Sequence, residues 1–135
     1  MKRTLESSNQ STEDSQEEAE MQVLQAEPIA RLQEMGKALG AEVPRRILEL
    51  YMEDAPKRLA EIDRSISAGD AEALRSALHS LKGSSANLGA SRLADLCTSL
   101  EVLANDAVPG EASEYRDALQ REFERVAKAL SGLFG

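Results

Sequence analysis

Apolar residues recur at helical spacing along most of the chain. Ile29, Leu32, Met35 and Leu39 follow one another three or four positions apart, starting beside Pro28, which the first helical turn tolerates, and ending at Gly40. This predicts a short first helix. Val43, Ile47, Leu50, Leu59, Ile62 and Ile66 predict a longer second one, stopped by Gly69, with Asp70 capping the next. Pro56 falls inside that helix and removes one backbone donor, so a bend near Asp54 is expected rather than two separate helices. A third helix is expected from about Asp70 to Leu88, with Leu74, Leu78 and Leu81 as its apolar stripe and Gly89 as a left-handed terminus. The fourth starts at Ser91 and carries Leu93, Leu96, Cys97, Leu100 and Leu103. After the turn-like run DAVPGEAS, a last helix carries Tyr115, Leu119, Phe123, Val126, Leu130 and Leu133.

Four substantial amphipathic helices joined by short loops must run antiparallel to their neighbours. The expected fold is therefore all-α: an antiparallel up-down-up-down four-helix bundle with a short extra N-terminal helix, over residues 26–135. No stretch shows a strand pattern. Residues 1–25 differ in kind, being rich in Ser, Gln and Glu, with two cations against six acids and only scattered apolar residues. Too little apolar surface is present there to offset the entropy of ordering, so a disordered acidic tail is expected.

Composition narrows the function classes. Aromatic residues make up 3% of the chain and Trp is absent, so the core must be built from Leu, Ile, Val, Ala and Met, which suits packed helices. Lys and Arg number 16 against 24 Asp and Glu, a net charge of -8 that argues against nucleic acid as a partner. The same charge, with a core that four helices can close, predicts a monomer. Cys97 is the only cysteine, which rules out an intrachain disulfide and reads as a small buried hydrophobe. No run reaches the ~18 to 20 apolar residues of a membrane span, and the first residues lack a signal-peptide core. A cytoplasmic location is expected.

The chain has one histidine, His79, on the third helix. With about 100° per residue and Leu74 at zero, Leu78 and Leu81 fall within about 40° of the stripe, while His79 lies about 140° away. His79 should therefore face outward, with Arg75, Lys82, Gly83 and Ala86 beside it. An imidazole of ordinary pKa about 6.5 is largely neutral near pH 7, so a ring nitrogen can attack phosphorus without first losing a proton. Lys82, at i+3, can reach phosphoryl oxygens and offset the roughly two negative charges they bring. Gly83, at i+4, leaves a bare backbone patch through which a partner could approach, although glycine inside a helix costs about 0.5 to 1 kcal/mol relative to alanine.

The run HSLKGSSANLG, His79 to Gly89, resembles the signature of the histidine-containing phosphotransfer (HPt) family: His, one residue, an apolar residue, Lys, Gly, two small residues, two variable ones, an apolar residue and Gly. The surrounding stretch AGDAEALRSALHSLKGSSANLGASRLADLCTSLE is similar as well, and helix number and order extend the likeness more loosely from about Ile29 to Leu133. The resemblance implies that His79 is the phosphorylated residue, Lys82 the phosphate-side cation and Gly83 the clearance residue. Ser84 and Ser85 would be small packing positions, and Arg75 and Ala86 supporting neighbours. Glu101, on the following helix, is a candidate on sequence distance alone, matches no fixed motif position and stays outside this set.

The resemblance further implies a phosphorelay intermediate of two-component signalling, exchanging a phosphoryl group between receiver domains of a hybrid sensor histidine kinase and of a response regulator. The receiver would bring the aspartate and Mg²⁺. The sequence has no GxxxxGK[ST] run, no glycine-rich nucleotide loop and no acidic cluster with a convincing metal-site pattern, so no cofactor or metal is expected, and no autokinase activity. A sensor-kinase dimerisation domain is disfavoured because Ser80, not an acid, follows His79. A metal or haem bundle would need several inward ligands. A plain helical adaptor with an inert histidine remains as the alternative. Leu32, Met35 and Ala86 could contribute to the rim against which a receiver docks.

Overall fold

The computed structural model describes residues 23–134. They form five helices in chain order: α1 (Ala26–Leu39), α2 (Glu42–Ala68), α3 (Ala71–Asn87), α4 (Ser91–Leu103) and α5 (Ala112–Phe134). Helices α2 to α5 close a ring in which α2 packs on α3, α3 on α4, α4 on α5 and α5 back on α2; α1 lies against α2. This is the up-down-up-down four-helix bundle with an additional N-terminal helix, and no strand occurs among the described residues. None of their helices is long and apolar enough to cross a membrane.

The core is aliphatic. Ile62, Leu74, Leu78, Leu81, Leu93, Leu100, Leu119 and Val126 are fully buried, with the small side chains of Cys97 and Ser85 between them. Tyr51 and Phe123 meet at 6.1 Å between ring centroids, tying α2 to α5. Helix α2 runs unbroken through Pro56 as one 27-residue element. It ends at Gly69, whose φ of 68° is left-handed; the Gly69 N–H donates to the Ile66 carbonyl and the Asp70 N–H to that of Ser65. The Asp70 side chain then accepts from the Ala73 N–H at 3.0 Å, as expected of a residue that starts the next helix.

Several expected core positions lie elsewhere. In the first half of α2 the buried residues are Pro44, Leu48, Tyr51 and Ala55 rather than Val43, Ile47 and Leu50; Leu50 is exposed and Ile47 only half-buried. The inward stripe is shifted by one residue and uses a proline, a tyrosine and an alanine. Leu39, Leu103 and Leu133, each at or next to a helix end, are exposed where the ring of helices has no neighbour left to cover them.

The tail expected over residues 1–25 lies outside the described residues as far as residue 22. Its last three residues pack on the bundle. Val23 and Leu24 are buried, the Gln25 N–H donates to the Gly89 carbonyl at 2.8 Å, and the Gln25 amide donates to the Ser91 hydroxyl at 3.0 Å. The N-terminal strap thus sits on the α3–α4 turn. Gly89 has φ of 80°, and a methyl group there would come within 3.0 Å of the Gln25 nitrogen, so both handedness and close approach call for glycine.

Candidate functional site

The rotational setting of α3 decides what the site presents. Leu74, Leu78, Leu81 and Ser85 are all inward and without exposure, which fixes the phase of the helix about its axis. His79 consequently projects outward, with 72% of its side chain exposed. The C-terminal end of α3 is held by a double closure: the Ala90 N–H donates to the Ser85 carbonyl at 2.9 Å and the Gly89 N–H to that of Ala86 at 3.0 Å. The histidine therefore rides on a helix capped at both ends and packed against α2 and α4.

Gly83 and Ala86 are exposed beside His79, and a methyl group at Gly83 would have no atom within 4 Å. The surface next to the imidazole is open. Lys82 crosses to α4, where its ammonium donates to Glu101 Oε2 at 2.9 Å. The other oxygen of the same carboxylate, Oε1, stands 3.6 Å from His79 Nδ1. That separation is longer than a hydrogen bond, yet it favours a proton on Nδ1 electrostatically and leaves the Nε2 lone pair at the outer tip of the ring. His79, Lys82 and Glu101 form one polar group spanning α3 and α4, with the lysine 30% and the glutamate 24% exposed.

The remaining expected site residues bond to other parts of the bundle. Ser85 is buried and its hydroxyl pairs with the Tyr51 hydroxyl at 2.9 Å, linking α3 to α2. Burial pushes the Tyr51 phenol up to about 12, with the Ser85 hydrogen bond pulling in the opposite direction, so the hydroxyl stays protonated at any physiological pH. Ser84 turns back and donates to the Leu81 carbonyl of its own helix at 3.2 Å. Arg75 reaches across to α4 and donates from Nη1 to the Ala104 carbonyl at 2.7 Å and to that of Asn105. It thereby satisfies the carbonyls at the C-terminal end of α4 and places a cation at the negative end of that helix. Of the residues considered for the rim, Ala86 is exposed, Met35 half-buried and Leu32 buried in the core.

Cys97 lies one turn before Glu101 on α4 and is buried. Desolvation raises its thiol to about 12, reinforced by the Glu101 carboxylate and opposed by the Lys82 ammonium. It is a packing residue, as its sequence context suggests.

The Hpt domain family model matches residues 46–129, which run from the first turns of α2 into α5 and contain His79, Lys82 and Glu101. The chain belongs to the Hpt domain family, and is a histidine phosphotransfer intermediate of two-component phosphorelays. Its structure is similar to the crystal structure of histidine-containing phosphotransfer protein B from Pseudomonas aeruginosa PAO1, with a TM-score of 0.74 and 31% sequence identity over 83% of this chain and 94% of that one. The fold also matches a histidine-containing phosphotransfer protein from maize, with a TM-score of 0.76 and 20% identity over 84% of this chain and 83% of that one. Among curated proteins no significant relative of the chain is found.

Proposed function

We propose that His79 is the residue that carries the phosphoryl group, taking it from the aspartyl phosphate of one receiver domain and yielding it to the aspartate of another. The observation that carries this reading is the placement of the chain's one imidazole on the outer face of α3, with the Lys82 ammonium one turn away and bare backbone at Gly83. The Nε2 lone pair attacks phosphorus; the bond between phosphorus and the aspartyl oxygen breaks, and its electron pair stays on the aspartate. The Nδ1 proton remains on the ring, facing Glu101, so the product is an imidazolium bearing a phosphoryl dianion. Lys82 offsets the charge that accumulates on the phosphoryl oxygens.

In this reading the chain is a carrier that neither binds ATP nor phosphorylates itself, and the receiver supplies both the aspartate and the Mg²⁺ that neutralises the transferring group. The partners are the receiver domains of a hybrid sensor kinase and of a response regulator. The protein works as a cytoplasmic monomer, since four helices close their own core and the net charge of -8 opposes self-association. Gly83 and Ala86 form the part of the docking face nearest the imidazole.

The test is transfer of ³²P from phosphorylated receiver domains to the chain. The unaltered protein should acquire phosphate that is labile in acid and stable in alkali, and His79→Gln should acquire none while keeping its helical circular dichroism. Equal labelling of the two proteins would refute the assignment.

A further inference from the structure

The outer face of α5 gathers three cations. Arg121, Arg125 and Lys128 are spaced four and three residues apart and all are exposed, so they form one stripe about 10 Å long down the middle of the helix. Glu124, at the edge of this stripe, is engaged by the Gln120 amide at 3.2 Å. Arg125 has Glu122 at 3.5 Å yet keeps 44% of its side chain exposed, and the other ion pairs of α5 among the described residues are made by Arg116, nearer the helix start. Helix α5 stands diagonally across the ring from α3, so the stripe faces away from His79.

The N-terminal strap brings the chain to this stripe. Val23 shares a surface hollow with Arg125, Lys128 and Ala129, while Gln25, two residues on, is bound to Gly89 and Ser91. The strap thus crosses from the base of α4 to α5, and the described chain begins beside two of the three cations. Residues 13–20 read EDSQEEAE, five acids and no cation. At about 3.3 Å per residue, Glu20 has a reach of roughly 10 Å from Val23 and Glu17 of roughly 20 Å, which spans the stripe from Lys128 to Arg121. Because the strap is anchored, the attraction is intramolecular, and the tether sets an effective concentration of acids at the stripe of about the millimolar range.

We propose that the acidic segment of residues 13–22 lies along the Arg121–Arg125–Lys128 stripe and masks it, with Glu17, Glu18 and Glu20 as the paired acids. The occupant is the chain's own segment rather than a second copy, because the stripe begins where the segment is tethered and its length falls within the segment's reach. Each exposed pair contributes little and is screened by salt, so the contact fixes where the segment sits more than how stable the bundle is. Five negative charges are thereby held on the side of the bundle opposite His79, out of the path of a phosphorylated receiver. The placement stands independently of which residue accepts phosphate.

The experiment uses the full-length ¹⁵N-labelled chain with a nitroxide on Gln16→Cys; the native Cys97 is buried and stays unlabelled. At low ionic strength the amide signals of residues 118–125 on α5 should broaden, while those of residues 76–83 around His79 keep their intensity. Combining Arg121→Gln with Lys128→Gln should recover at least about half of the lost intensity, and so should Glu17→Gln with Glu18→Gln and Glu20→Gln, or 0.5 M salt, where the Debye length is about 4 Å. Broadening that persists unchanged in these proteins and in salt would come from the tether alone and overturns the proposal. Broadening centred on residues 76–83 places the segment on the histidine face and overturns it equally. A mixture of ¹⁵N chain without nitroxide and ¹⁴N chain with it should show no broadening; broadening of α5 in that mixture makes a second copy the occupant and refutes the intramolecular contact.

Discussion

Gly83 separates stability from docking, because the two respond to its replacement with opposite sign. Its backbone is ordinary helix, with no positive φ, and a methyl group there would meet nothing within 4 Å. Alanine consequently adds no strain and restricts the unfolded chain, so Gly83→Ala should raise stability by about 0.4 to 1 kcal/mol. For a bundle of this size that is a rise of roughly 2 to 6 °C in Tm, measurable by calorimetry. Gly83→Glu places a carboxylate one turn from His79 in the open space through which a receiver aspartate must approach. It should lower the rate of phosphotransfer at least about tenfold, ~1.4 kcal/mol of barrier, with the far-ultraviolet spectrum unchanged. Destabilisation by alanine would contradict the helical geometry. Wild-type transfer rates in a folded Gly83→Glu protein would move the docking face elsewhere and refute the reasoning.

Other consequences can be checked by chemical denaturation. Tyr51→Phe should destabilise the fold by about 1 to 3 kcal/mol, since it strands the buried Ser85 hydroxyl; adding Ser85→Ala should recover part of the loss, and strict additivity would show that the 2.9 Å pair is not coupled. Arg75→Ala should lose about 1 to 2 kcal/mol by uncapping α4, and an unchanged midpoint would refute its role as the clasp between α3 and α4. Removing residues 1–22 should shift stability by less than about 0.5 kcal/mol, whereas removing residues 1–25 should cost on the order of 2 kcal/mol through the exposed sites of Val23 and Leu24. Equal effects of the two truncations would contradict the strap.

The part of this architecture that can be read from sequence is the part encoded locally. Three leucines spaced four and three apart set the phase of α3 and therefore send His79 outward, and Gly69, Asp70 and Gly89 mark its ends because left-handed closure and side-chain capping have strong residue preferences. The first half of α2 misleads because its inward stripe is Pro44, Leu48, Tyr51 and Ala55, while the more aliphatic Val43, Ile47 and Leu50 lie next to it. Hydropathy alone weights the wrong neighbours. Val23 and Leu24 carry no periodic signal, being only two apolar residues ahead of a helix, and their burial depends on the strap that Gly89 accepts.

The polar group shows the same limit. Lys82 reaches Glu101 across 19 residues and Arg75 reaches Ala104 across 29, and neither link belongs to any spacing within one helix. Wheel geometry places Arg75 on the histidine's flank, yet the long side chain is claimed by the carbonyls at the end of α4, where a cation also meets the helix dipole. Such pairings follow from the crossing of α3 and α4. They become visible only once the two helices are placed.

The expected position of the phosphoryl group is Nε2 of His79. It is tested most directly by phosphorylating uniformly ¹⁵N-labelled protein with a receiver domain and reading the ³¹P–¹⁵N coupling in the histidine ring, with the residue confirmed by peptide fragmentation at neutral pH. One phosphoryl group on His79, coupled to Nε2, is the expected result; phosphorus on Nδ1 or on any other side chain would contradict it.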